Sequence, residues 1–271
     1  MIPMSLKKIA SITNGELYGK NITIHHISIN SKKIVPNTLF IALKGDKFDG
    51  NVFIEEAIKK GCCAVITNQK IISFISYIIV ENTTIALGQI ANSLRNTIQP
   101  KILAITGSCG KTSVKEMTAS ILQKKNNIIY TMNNENNHIG VPITLLKLKE
   151  IDKYGLIELG ANNPGDIRYI SNISEPNVAL INNIYHSHLA GFKSLLGISK
   201  EKSEIFSYLK KNSIVIINLD SHHLSQWKKK IKNKKIFYFS IEKKKQAIFL
   251  LLILRFIHIK HVLSCIHQLE K

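Results

Sequence analysis

Thr106-Gly107-Ser108-Cys109-Gly110-Lys111-Thr112-Ser113 joins two glycines, a lysine and several hydroxyls within eight residues, a combination suited to holding phosphate. Gly107 and Gly110 can take backbone angles closed to other residues, so the N–H groups of residues 108 to 112 can converge on an anion at a helix start. Lys111 would then reach the outer phosphates of ATP, and the Thr112 hydroxyl is placed to ligate Mg2+. The full G-x-x-x-x-G-K-[ST] spacing fails, because position 105 is Ile. An ordinary strand-to-helix turn with a solvated lysine would leave the two glycines, the lysine and the hydroxyls unexplained together.

Other groups with chemical potential lie at the ends of apolar runs. Glu158 closes Leu156-Ile157-Glu158 before Gly160, and it is a hard oxygen ligand suited to Mg2+. Asn182 and Asn183 end a further run. His186 and His188 lie in the loop beyond, and spacing does not choose between them.

Elements must bring these groups together. Ile102 to Ile105 is a short buried strand, and Val114, Met117, Ile121 and Leu122 give the stretch after the loop a helical period. Strands at Tyr154 to Glu158, Val178 to Asn182 and Ile214 to Asn218 alternate with helices at Gly165 to Ile173 and Lys200 to Lys210. This alternation predicts an α/β fold with a mostly parallel sheet, whose ligands gather beyond the carboxyl ends of the strands. Upstream, residues 1–81 read as a small α/β domain, with Ser5 capping a first helix and Leu39 to Leu43 as a buried strand. The predicted organisation is therefore 1–81, a small N-terminal domain; 82–242, an incomplete phosphate-loop domain; and 243–271, an apolar and basic tail without Gly or Pro.

Composition narrows the function. The net charge of +19 invites a nucleic-acid reading, yet 34 of the 37 basic residues are lysine and three are arginine. Readers of phosphates and bases lean on arginine forks. Lysine here accompanies abundant Asn and Ile, so coding bias explains the charge and no nucleic-acid partner is expected. Four cysteines without C-x-x-C spacing read as reduced thiols. With no export signal and no apolar run beyond eight residues, from Ala247 to Leu254, a cytoplasmic protein without membrane insertion is expected, as a monomer.

Taken in order, Thr106 to Glu116, Asn134-Glu135-Asn136-Asn137-His138-Ile139-Gly140-Val141-Pro142, Glu158-Leu159-Gly160-Ala161-Asn162 and His188-Leu189-Ala190-Gly191-Phe192 resemble the Mur ligase family. Phe40 to Gly45 with Phe48-Asp49-Gly50 resembles that family's UDP-binding domain. The resemblance runs from about residue 5 to 240. It implies a magnesium-dependent amide ligase of peptidoglycan synthesis, and so of cell-wall growth and division. ATP would phosphorylate the terminal carboxylate of UDP-N-acetylmuramoyl-tripeptide, and the amine of D-alanyl-D-alanine would attack the acyl phosphate. Carried over by motif, Gly107, Ser108, Cys109, Gly110, Lys111, Thr112, Ser113, Asn134 and Asn137 hold ATP. Thr112 and Glu158 hold a first Mg2+. His188 falls on the family's second-metal histidine, Lys202 on the lysine that the family carbamylates, and Ser31, Lys32, Lys44 and Gly45 face the UDP. Lys111, His188 and Lys202 would be the catalytic set.

The sequence also departs from the family pattern. The Asp-Ser/Thr-Arg signature is Asn30-Ser31-Lys32 here, and Asn133 stands where glycine is usual. The end of the family's central domain and its C-terminal domain have no counterpart, and the tail from Lys243 is expected to match neither, to pack poorly and to reflect a truncated or frameshifted product. Two other functions fit the residues: a remnant that binds nucleotide without ligating, and a sister ligase adding a single amino acid.

Overall fold

The computed structural model describes residues 2–45, 48–185, 189–210, 212–240 and 249–250. Helix α1 (Leu6–Thr13) opens the chain, with the Ser5 hydroxyl accepting from the Lys8 amide at 3.3 Å and Asn14 ending it in the left-handed region. Strands β1 (Glu16–Tyr18), β2 (His26–Ser28), β3 (Thr38–Ile41), β4 (Ala64–Thr67) and β5 (Ser76–Ile79) form a five-stranded sheet in the order β1-β5-β4-β3-β2. All neighbours are parallel except β1 and β5. Helix α2 (Ile54–Lys59) lies between β3 and β4 in the chain.

Helix α3 (Thr83–Ile98) starts where the Asn82 side chain accepts from the amides of Thr84 and Ile85. It packs against α1 and against two helices of the second sheet, α5 (Gly140–Leu146) and α6 (Asp166–Ser174). One apolar cluster accordingly runs from Leu6 and Ile9 through Leu87 and Ile90 to Ile157 and Ile181. The core is continuous across residue 81.

The second sheet has seven strands, all parallel: β6 (Lys101–Thr106), β7 (Ile128–Tyr130), β8 (Tyr154–Glu158), β9 (Val178–Ile181), β10 (Ile214–Asn218), β11 (Lys235–Ser240) and β12 (Phe249–Leu250). Their order is β7-β8-β6-β9-β10-β11-β12. The central strands are buried along most of their length, as apolar runs covered by helices on both faces require. Strand β6 lies between β8 and β9: the chain runs from β6 to β7 on one side, then crosses from β8 past β6 to β9 on the other. That reversal opens a crevice beyond its carboxyl end.

Three expectations need correction. The helix expected over 200–210 begins at Leu195, where the Ser194 hydroxyl accepts from the Gly197 amide at 3.1 Å. This helix, α7 (Leu195–Lys202), gives way to a 3-10 turn at Ser203–Phe206. Strands β1 and β11 were not anticipated; β11 is the aromatic run Lys235-Ile236-Phe237-Tyr238-Phe239-Ser240, paired in parallel with β10. Finally, Phe249–Leu250 in the tail adds to the open edge of β11 rather than lying without a sheet partner.

Candidate nucleotide and metal site

The crevice beyond β6 holds the phosphate loop, residues 107–110, with helix α4 (Lys111–Leu122) rising from it. Gly110 takes a left-handed φ of 73° at the helix start. A Cβ on it would stand 2.9 Å from the Asn182 amide, and one on Gly107 would stand 3.0 Å from the Asn182 Cβ. Gly110 is favoured by its left-handed φ, and Gly107 by the close approach of the β9 end. The Lys111 ammonium folds back onto the Gly107 carbonyl at 3.0 Å.

Glu158, at the end of β8, is 1 % exposed. One carboxylate oxygen accepts from the Thr112 hydroxyl at 3.0 Å, and the other accepts from the Asn136 amide at 2.9 Å. Two hard oxygen donors from different elements therefore meet at the loop mouth. This donor set suits Mg2+, whose octahedral shell takes one or two protein oxygens and fills with phosphate and water. Among the described residues no group of three His, Cys, Asp or Glu is arranged to hold a metal.

Beneath the carboxylate lies Lys115, wholly buried. Its ammonium donates to the Thr131 carbonyl at 2.7 Å, pairs with Glu116 at 2.9 Å and stands 4.0 Å from Glu158. Thr131 in turn accepts from the Glu158 amide at 3.0 Å through its hydroxyl. A buried charge needs partners, and these four residues supply them to one another.

Lys202, at the end of α7, is 3 % exposed. Burial, reinforced by the Lys111 charge and opposed by Glu201, pushes its amine from 10.5 down to about 8. Glu201 anchors the helix by accepting from the Gly165 and Ile167 amides, each at 2.8 Å, at the start of α6. Lys111, Thr112, Glu158 and Lys202 are the sequence-predicted residues that the fold brings to this crevice.

Others fall differently. Asn134 is exposed, and the Asn137 side-chain oxygen accepts from the Ile139 and Gly140 amides at the start of α5. The asparagine that reaches Glu158 is Asn136, which the sequence reading passed over. Asn133 takes φ 49°, so asparagine here adopts the conformation for which glycine is the usual choice. The amides of Ser108 and Cys109 donate to the Asn183 carbonyl and side-chain oxygen, both at 3.0 Å, so they do not join the anion cradle as expected. The amides of residues 110 to 112 remain for that role. His188 lies outside the described residues. On the small sheet, the Ser31 hydroxyl donates to Glu56 at 2.7 Å, Lys44 faces Asp49 at 3.8 Å, Lys32 is exposed, and a Cβ on Gly45 would meet nothing within 4 Å. A cavity of about 580 Å³ between α3 and α6 is lined by none of these groups. The convergence of donors, not cavity volume, locates the site.

A parallel sheet with a glycine loop at its reversal point, a carboxylate on the adjacent strand and a buried lysine beside them defines an α/β protein of the phosphate-loop type. The Mur ligase middle domain matches residues 105–261, and the Mur ligase family catalytic domain matches residues 23–99. The chain belongs to the Mur ligase family. The first of these matches runs to residue 261, into the tail.

The chain is 65 % identical over 249 residues to a UDP-N-acetylmuramoyl-tripeptide--D-alanyl-D-alanine ligase of Buchnera aphidicola, covering 92 % of this chain and 55 % of that one. It is 42 % identical over 240 residues to the Escherichia coli enzyme of the same name, covering 89 % and 53 %. A crystal structure of MurF from Acinetobacter baumannii superposes with a TM-score of 0.84 at 34 % identity, over 88 % of this chain and 53 % of that one. MurF ligase from Thermotoga maritima in complex with ADP gives 0.74 at 29 %, over 80 % and 51 %. The chain spans about half the length of these relatives. Among the described residues no helix is long and apolar enough to cross a membrane.

Proposed function

We propose that this chain carries the nucleotide-binding and UDP-precursor-binding parts of an ATP-dependent ligase of peptidoglycan synthesis. Such a ligase joins D-alanyl-D-alanine to UDP-N-acetylmuramoyl-tripeptide through an acyl phosphate. The observation that carries this reading is the meeting of Thr112 and Glu158, 3.0 Å apart, at the mouth of the loop that holds Lys111. The relatives' names supply the substrate class.

On this reading the amides of residues 110 to 112 and the Lys111 ammonium hold the phosphates of ATP. Thr112 and Glu158 hold Mg2+, which when bound neutralises charge on those phosphates. Asn136 and Lys115 fix the Glu158 carboxylate from behind. Lys202 has an amine neutral enough to take up CO2, and its carbamate would offer an anionic oxygen where a cation would be repelled. His188 is assigned to the second metal by resemblance. Residues 31, 32, 44 and 45 are assigned to the uridine nucleotide.

Calorimetry with ATP in Mg2+ tests the nucleotide site: the absence of heat from the unaltered chain overturns it. Supplying ATP, Mg2+, UDP-linked tripeptide and D-alanyl-D-alanine, with mass spectrometry for the pentapeptide precursor, tests ligation. Residues 1–271 span about half the length of the ligases they match, so by themselves they are expected to bind nucleotide without forming amide. Orientation of the three reacting groups is worth roughly 7 to 11 kcal/mol of barrier. Catalytic product, lost on Lys202→Ala, would show that these residues suffice.

A further inference from the structure

The phosphate loop is gripped from the end of β9. Asn182 and Asn183 both donate from their side-chain amides to the Cys109 carbonyl, at 2.9 and 3.1 Å, while the Asn183 side-chain oxygen accepts from the Cys109 amide. The Asn183 backbone carbonyl accepts from the Ser108 amide. The Ser108 hydroxyl donates to the Tyr185 carbonyl and accepts from the Tyr185 amide, both at 2.9 Å. Asn182 is itself held, its amide donating to Thr106 at 2.8 Å and its carbonyl accepting from Asn218 of β10 at 2.9 Å. Cys109 thus has both backbone groups satisfied by side chains of a neighbouring strand end, on a loop whose tip is exposed.

A loop of two glycines flanking Ser108 and Cys109 has large conformational freedom to lose, and glycine loses more than any other residue. Phosphate binding alone would have to supply that ordering. We propose that Asn182 and Asn183 are positioning residues that hold the phosphate loop in its binding shape before nucleotide arrives, with Asn183 as the main clamp. The inference rests on the reading of this loop as a nucleotide site for its effect on affinity, but the clamp itself is testable without nucleotide. A Cβ on Gly107 would press on the Asn182 Cβ at 3.0 Å and on the Asn183 backbone nitrogen at 3.2 Å, so the same strand end that clamps the loop also crowds it.

Amide hydrogen exchange in the absence of nucleotide, resolved at Ser108 and Cys109, is the first measurement. The clamp predicts that the Cys109 amide of the unaltered protein exchanges at least tenfold slower than in a free peptide, despite its exposed position; exchange at the free rate overturns the proposal and needs no variant. In Asn183→Ala that protection is lost while amides of β6 and β9 keep theirs, a local change that general destabilisation would not produce. Calorimetric affinity for MgATP in the same variant falls at least tenfold, with the melting temperature within a few degrees of the parent. Lost Cys109 protection with unchanged ATP affinity would overturn the positioning role. If the unaltered protein binds no ATP, the nucleotide reading fails, and the exchange result still decides whether the clamp exists.

Discussion

The carboxyl edges of the two sheets carry candidate residues of the same kinds, lysines, hydroxyls, carboxylates and glycines, but organise them in opposite ways. At the large sheet, Thr112, Asn136 and Lys115 all converge on Glu158, and Glu158 and Lys115 are fully enclosed. At the small sheet, Ser31 is tied to Glu56, Lys44 stands half exposed opposite Asp49, and Lys32 reaches solvent. The first edge has its side chains fixed by one another; the second is a set of side chains that a ligand would have to complete. Substitutions should accordingly be costly at the first edge and mild at the second.

The largest expected effect is the loss of ATP binding in Lys111→Ala, by about 3 kcal/mol or more, since charge-assisted contacts to phosphate are among the strongest polar interactions. Calorimetry in Mg2+ checks it. Affinity within twofold of the parent would place the phosphates elsewhere and dissolve the contrast between the edges. Glu158→Ala should chiefly raise the Mg2+ concentration needed for ATP binding, read from metal titrations of the same reaction.

Next comes stability. Lys115→Met removes the buried cation beside Glu158 and leaves the Thr131 carbonyl without its donor. Breaking a buried pair by deleting one partner costs about 3 to 5 kcal/mol. Lys32→Met, at the exposed edge, should stay within about 0.5 kcal/mol of the parent. Urea unfolding of the two variants side by side measures the difference, and equal midpoints would refute it.

Lys202 adds a pH dependence. Its amine titrates near 10.5 when unfolded and at about 8 when folded. Between those values the unfolded chain binds the extra proton, so this residue makes stability rise from about pH 8 to 10.5, and its full cost, on the order of 3 kcal/mol, stands below pH 8. Lys202→Met should flatten that slope in urea unfolding at pH 7.5, 9 and 10. A slope that survives the substitution belongs to another group.

The phosphate loop was legible because its demands are on the backbone: two glycines, a lysine and a hydroxyl at fixed spacing after an apolar run. The parallel sheet was legible from alternation. Asn136 was not, because in the run from Asn133 to Asn137 no spacing distinguishes one amide from the next. Only Gly160, where a Cβ would stand 2.6 Å from the Asn136 amide, marks which one comes close, and that approach depends on the pairing of distant segments. Lys115 was invisible for the same reason. Its partners Thr131 and Glu158 lie 16 and 43 residues away, and on a helix wheel it reads as a solvated lysine. The turn at Ser203 was hidden because the contact anchoring α7 is made by Glu201 to a different helix.

The smallest effect sharpens the comparison most. At the exposed edge Lys32 stands where the family signature has arginine, and a single ammonium replaces a planar fork able to make two parallel hydrogen bonds. The Asn30 side-chain oxygen accepts from the Lys32 amide at 2.9 Å and the Lys32 side chain is exposed, so residue 32 has space to carry the larger head. Glu56 is the competitor: Lys60 and Ser31 already donate to it, and they hold its carboxyl below the usual range with a smaller contribution from Lys32. Because both of those donors are in place, an arginine at 32 gains less from Glu56 than from a diphosphate. Lys32→Arg should therefore tighten UDP binding by roughly fivefold, about one additional hydrogen bond to a charged group. Calorimetry with UDP is the measurement. Flat affinity would mean that residue 32 does not touch the nucleotide, and a fall would mean that Glu56 captures the new guanidinium.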